Sequence, residues 1–191
     1  MIRVRRFFTL VLLLALAAGV AGWLATRPVA AAGIQPSQAA VVAAEAKIAV
    51  GFGGAGVRAV LTQQPQTAHV QLTDVELTSL VASRLSSTAK VRNVSVRGTS
   101  DGVFDANGET DVQGVTLDLD ATGLVTVDGG GAIHLDVHQA SVGLLPLPSS
   151  TIQSLAEQSA SSLQLPVPPH ISDLSVQPIA GGAIVSGTAS P

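Results

Sequence analysis

Cysteine is absent from this chain of 191 residues, tyrosine is absent too, and tryptophan occurs once. Without thiols there are neither disulfides nor thiolate metal sites, so packing alone must hold the fold. Aromatic residues make up 3 %, which removes the stacking platforms on which single-stranded nucleic acid is held. After Arg97 there is no Lys or Arg at all. Beyond Pro28 six basic residues (Lys47, Arg58, Arg84, Lys90, Arg92 and Arg97) stand against thirteen Asp and Glu, a net charge of −7. Most of the chain therefore repels a polyanion, which excludes nucleic acid as the expected partner. Catalytic signatures are missing as well: there is no G-x-S-x-G elbow, no P-loop, no H-E-x-x-H and no cysteine nucleophile. The expectation is a protein that is not an enzyme and carries no cofactor.

What is present begins at the N-terminus. Arg3, Arg5 and Arg6 precede a charge-free apolar run from Phe7 to Ala25, with Trp23 near its end and Arg27-Pro28 after it. Nineteen helical residues span about 28 Å, close to one hydrocarbon core. The basic cluster belongs on the cytoplasmic side, which sends the bulk of the chain out of the cytoplasm. A cleaved signal peptide has a shorter apolar region, and the Val29-Ala30-Ala31-Ala32-Gly33 tract is only permissive for cleavage. Length favours a permanent single-pass anchor. The expected organisation is a basic cytoplasmic segment over 1–6, a transmembrane helix over 7–25, an Ala/Gly-rich stalk or linker over 26–65, and one extracytoplasmic domain over 66–191. Within the stalk, Ser37 is placed to cap a helix over Gln38 to Val50, which Gly51, Gly53, Gly54 and Gly56 are expected to end.

Thr73-Asp74-Val75-Glu76 is a capping box, and Leu77, Leu80, Val81 and Leu85 follow at helical spacing, predicting a helix over about 74–86. Period-two patterning takes over from Lys90. Gly98 to Gly102 and Asn107-Gly108 are turn candidates. Val115, Leu117, Leu119, Ala121, Gly123, Val125 and Val127 then occupy odd positions against polar even ones, a run too long for an ordinary strand unless Gly123 bends it. Ile133, Leu135 and Val137 resume the odd face, and past Gln139 the apolar positions switch parity, which predicts a bulge. Pro146 and Pro148 end that strand. Ser150 with Gln153 opens a second capping box, with Ile152, Leu155, Ala156, Ala160 and Leu163 as the buried stripe of a second helix. Two short strands around Ile171 to Val176 and Ala183 to Gly187 close the chain. The expected fold is α+β: a long curved antiparallel sheet with two amphipathic helices on one face, behind an N-terminal transmembrane helix.

Three groups of residues are candidates for function. His134, Asp136 and His138 alternate in a strand, so both imidazoles and the carboxylate share one face, as a metal site requires. Asp105, Asn107, Glu109 and Asp111 have a calcium-loop rhythm without the sixth-position glycine or the distal Glu, and a hairpin tip accounts for them. The third candidate is the apolar face itself. Val115, Leu117, Leu119, Val125, Val127, Ile133, Leu135 and Val137 of the sheet, with Leu77, Leu80 and Leu155 of the helices, would line an aliphatic groove for a lipid if the roof is incomplete. A fully packed core, serving a structural or protein-interaction module of the envelope, is the alternative.

The basic anchor, the start Leu72-Thr73-Asp74-Val75-Glu76-Leu77, the Val142 to Pro148 segment Val-Gly-Leu-Leu-Pro-Leu-Pro, and the closing helix and hairpin resemble the YpmS-like and LmeA-like families of bacterial envelope proteins, over about residues 68–188. The resemblance implies a tubular-lipid-binding-like domain with no catalytic residues and a phospholipid or other hydrophobic ligand held against the sheet.

Overall fold

The computed structural model describes residues 33–85, 91–112, 114–127, 133–148, 150 and 170–191. The expected transmembrane helix over 7–25 and the second amphipathic helix with Leu155 lie outside the described residues. Helix α1 runs Gln38–Thr62. Ser37 is its N-cap, extended in backbone, with its hydroxyl accepting the Ala40 N–H at 3.2 Å. The four glycines expected to end the helix lie inside it. Each costs about 1 kcal/mol in a helix interior, but Val41, Ala44, Ile48, Phe52, Ala55 and Ala59 recur at spacings of three and four and are all buried. Burying Phe52 and Ile48 outweighs the glycine penalty. Gly51 has its own use: a Cβ there would stand 2.5 Å from Val70 Cγ2, so its absence lets the neighbouring strand approach. The helix ends at Gln63, which turns left-handed at φ 53° and donates its N–H to the Ala59 carbonyl. The reading of 26–65 as a stalk is thus overturned from Gln38 to Thr62, where the chain supplies the central helix of the core.

Strand β1, Gln66–Thr73, was not foreseen, although Ala68, Val70 and Leu72 alternate and are buried. It runs directly into helix α2, Asp74–Arg84, whose capping box forms as expected: the Thr73 hydroxyl accepts the Glu76 N–H and Glu76 Oε2 accepts the Thr73 N–H at 2.8 Å. The strands that follow are β2 Val91–Gly98, β3 Phe104–Val112, β4 Val115–Val127, β5 Ile133–Val142, β6 Leu145–Pro146, β7 Ile171–Ile179 and β8 Gly182–Ala189. They form two antiparallel sheets instead of one, β1-β8-β7 and β2-β3-β4-β5-β6. The fold is α+β with two described helices. Those helices do not roof the long meander: α1 packs on β1, α2 and β8, and α2 packs on β2 and the smaller sheet.

Helix α2 closes the exposed edge of β2. The Thr78 hydroxyl, fully buried, accepts the Val96 N–H at 2.8 Å and donates to the Val96 carbonyl at 3.0 Å. One turn earlier Asp74 Oδ1 accepts the Gly98 N–H at 2.9 Å. An edge strand's free backbone groups are thereby satisfied by two side chains of one helix. The same corner joins the sheets. Gly181 donates its N–H to the Gly98 carbonyl at 3.2 Å and accepts the Asp74 N–H at 3.1 Å. A Cβ on Gly98 would collide with the carbonyls of Gly182 and Ile179, so only glycine permits this approach.

In the larger sheet β4 keeps the expected thirteen residues, and the expected irregularity falls at Gly123, where the register shifts between Thr122 and Gly123. Thr122 pairs with Gln139 and Gly123 with Val137, which leaves His138 as the extra residue of a bulge one position from where the parity switch put it. Asn107-Gly108 is not a turn. Both lie inside β3, where Asn107 pairs with Asp120 and Gly108 with Leu119. Cross-strand partners keep this acidic stretch extended: Arg92 bridges Asp111 at 2.8 Å and Asn93 donates to Glu109 at 2.8 Å.

Candidate functional site

Between α1 and β1 lies a shallow groove of about 480 Å³, largely open to solvent and lined by Ala46, Lys47, Val50, Gly51, His69, Val70 and Gln71. Its volume matches the roughly 300–1,000 Å³ of small-molecule sites, but it is a surface trough that leaves one side of an occupant uncovered, where such sites enclose most of theirs. Its floor is where Gly51 and Val70 meet, close together because glycine has no Cβ to hold the strand away, while the alternation of β1 turns Val70 inward and His69 and Gln71 outward. Its wall is mainly aliphatic. The polar groups are at its margins: His69 Nδ1 lies 2.8 Å from Ser186 Oγ, and Lys47 reaches from α1 to the buried Glu76 of α2, with Nζ 2.8 Å from Oε1.

Glu76 is 7 % exposed. Burial is the largest influence on its carboxyl and pushes its pKa up, but the Lys47 ammonium and the N–H and hydroxyl of Thr73 together outweigh burial and hold the pKa below the ordinary value. The carboxylate is therefore charged, and Lys47 is held across the groove wall with its side chain still 46 % exposed. Among the lining residues Lys47 carries the fixed positive charge, and the Glu76 carboxylate balances it.

The residues singled out in the sequence fall elsewhere. Leu80 is buried in the core, and Leu77 and Val127 are packed against it. Leu117, Leu119, Val125 and Val137 are half-buried on the larger sheet, and Val115 is 47 % exposed. Ile133 and Leu135 place their backbone in β5. These positions share a sheet as expected, but the described helices do not convert that sheet into an enclosed groove. His134, Asp136 and His138 are exposed on β5. His138 Nε2 lies 3.7 Å from Asp136 Oδ2, and among the described residues no three His, Asp or Glu side chains gather as a metal site. His138 is the bulge residue, and its ring still reaches Asp136, its neighbour two positions back.

A second electrostatic feature sits on the polar face of the larger sheet. Burial first, and the neighbouring Asp105 second, raise the pKa of Asp120 against the lowering effect of the Ala121 N–H. Asn107 Nδ2 donates to Asp120 Oδ1 at 3.1 Å. Asp105 and Asp120 thus form an acidic pair on the surface of the sheet.

The α1/β1 groove was missed because its helical half was read as a linker. One signal for it was available, the inward stripe from Val41 to Ala59, but Ala, Val and Gly on the opposite side of the same helix mask its amphipathicity. Helix α1 is in fact long and apolar enough, by length and composition, to cross a membrane, while its inner face is buried in the core. Compared with models of protein families, with curated protein sequences and with solved structures, the chain has no significant match in any of the three.

Proposed function

We propose that this chain is a non-enzymatic domain, anchored by Phe7 to Ala25 and facing out of the cytoplasm, that holds the acyl part of a lipid in the groove between α1 and β1 in the service of the cell envelope. The observation that carries this reading is the groove itself, an aliphatic trough of about 480 Å³ with an ion-paired lysine at its margin. Apolar walls favour a hydrocarbon chain by about 0.8 kcal/mol for each methylene removed from water, and Lys47, whose charge Glu76 balances, keeps an exposed N–H to donate to an oxygen at the end of that chain. The missing catalytic motifs, the basic-then-apolar N-terminus and the resemblance to lipid-binding envelope families support the same reading. The test is native mass spectrometry of the full chain released from lipid nanodiscs. A retained phospholipid is expected, together with its loss in Gln71→Trp, which fills the trough from the β1 side. A wild-type chain that never retains lipid overturns the proposal.

A further inference from the structure

The inner stripe of α1 accounts for one side of that helix, and the other side is also apolar. Val42, Val50, Val57, Val60 and Leu61 are 56–77 % exposed. At 100° per residue they fall on one arc about 100° wide, centred opposite the buried stripe, and every other residue on that arc is Ala or Gly. The charged residues of α1 stand at its borders, Lys47 and Arg58 on one side and Glu45 on the other. Glu45 is turned to Arg84 of α2 and Lys47 to Glu76, which draws charge away from the arc. A soluble surface helix carries its charges on this side, so the sequence has kept it apolar against the usual pattern.

We propose that this outer face of α1 docks on the bilayer surface, lying in the interface with its valines among the upper acyl chains. The inference rests on the anchoring in the preceding section. If Phe7 to Ala25 spans the bilayer, twelve residues separate its end from the first residue of α1, and twelve extended residues reach at most about 42 Å. Helix α1 is itself about 38 Å long. Its N-terminus is therefore tethered within about 42 Å of the membrane, little more than the length of the helix, where an uncharged apolar strip meets lipid at high effective concentration. A second copy is a poorer occupant, because each chain carries a net charge of −7 beyond Pro28 and two such chains repel. Docking also gives the groove an entrance: Ala46 and Val50 belong both to the outer arc and to the groove lining, so an acyl chain passes from bilayer to trough without crossing water.

The absence of cysteine makes the test clean. Val50→Cys, Val57→Cys and Leu61→Cys, all at exposed positions where the fold tolerates them, each give the full chain one site for an environment-sensitive fluorophore, and Ser100→Cys in the exposed β2–β3 turn serves as the control. The labelled chains are reconstituted in phosphatidylcholine vesicles, and quenching by a nitroxide-bearing phosphatidylcholine is compared with quenching by aqueous iodide. The three α1 labels are expected to be quenched from the lipid and protected from iodide, with the reverse at Ser100. Iodide quenching on α1 equal to that at Ser100 overturns docking. So does shielding from both quenchers, which means that another segment of the chain covers the face, or a second copy if the shielding disappears on dilution with lipid. Carbonate extraction of the same vesicles reads the anchoring separately. Chains retained with their α1 labels in water overturn the docking and leave the anchor standing, whereas chains stripped from the vesicles overturn both.

Discussion

Replacing Lys47 by Met removes the ammonium that neutralises a buried carboxylate while keeping the aliphatic stem along the groove. Glu76 loses the contacts at 2.8 and 2.9 Å from Lys47 Nζ and keeps those from the Thr73 N–H and hydroxyl at 2.8 and 3.1 Å. A hydrogen bond to a charged group contributes about 1.5–3 kcal/mol, whereas an exposed ion pair contributes about 0.2–1 kcal/mol. Lys47 is half-exposed and Glu76 buried, so the expected cost lies between, at about 1–2 kcal/mol near neutral pH. The pH dependence identifies the cause. Glu76 titrates lower in the folded chain than its ordinary value, so its stabilisation is complete above the ordinary glutamate range and is lost as pH falls through the lowered folded value. Once the carboxyl is protonated in both proteins, the difference between wild type and Lys47→Met is expected to shrink to less than about 0.5 kcal/mol. Urea unfolding of the full chain in mild detergent, followed by far-ultraviolet circular dichroism near neutrality and again in acid, measures both quantities. A difference of the same size at the two pH values would refute the ion-pair account, as would no difference at neutrality.

Two further perturbations probe the frame that positions the groove. Thr78→Val keeps the shape of the side chain but leaves the Val96 N–H and carbonyl without the hydroxyl that serves both, and is expected to cost about 2–3 kcal/mol in the same unfolding assay, with Thr78→Ser recovering most of it. Asp120 has the opposite sign to Glu76. Its pKa is raised on folding, so it contributes favourably only below the ordinary aspartate range and that contribution is lost as pH rises through the folded value. Asp120→Asn should therefore unfold at higher urea than wild type near neutral pH and at the same urea in strong acid, and a destabilised variant at neutrality would contradict this.

Local chemistry was legible in the chain to within a residue or two. Ser37 and Thr73 cap helices because their hydroxyls answer amides three residues on, and the thirteen-residue alternation of β4 follows from a period of two. The parity switch near Gln139 located the bulge because an extra residue is the physical way to change faces. What failed was judgement of residues whose role depends on distant partners. Gly51 reads as a helix stop and is a contact point for Val70; Asn107-Gly108 reads as a turn and is held extended within β3 by its pairing with β2 and β4. The division into two sheets depends on pairings such as Gln66 with Ala189 and on the Gly98 corner, neither of which leaves a local trace. The groove between α1 and β1 left no local trace for the same reason: an apolar face declares that it needs cover, and its periodicity is silent about which element provides it.

The central claim is that the hydrocarbon of a lipid lies between α1 and β1. Its most direct test is photo-cross-linking of the full chain, reconstituted in vesicles, with a phosphatidylcholine bearing a diazirine on its acyl chain, followed by peptide mapping. The account predicts adducts within residues 46–51 and 69–71, lost in Gln71→Trp. Adducts confined to β4 and β5, or the same yield at the groove after Gln71→Trp, would contradict it.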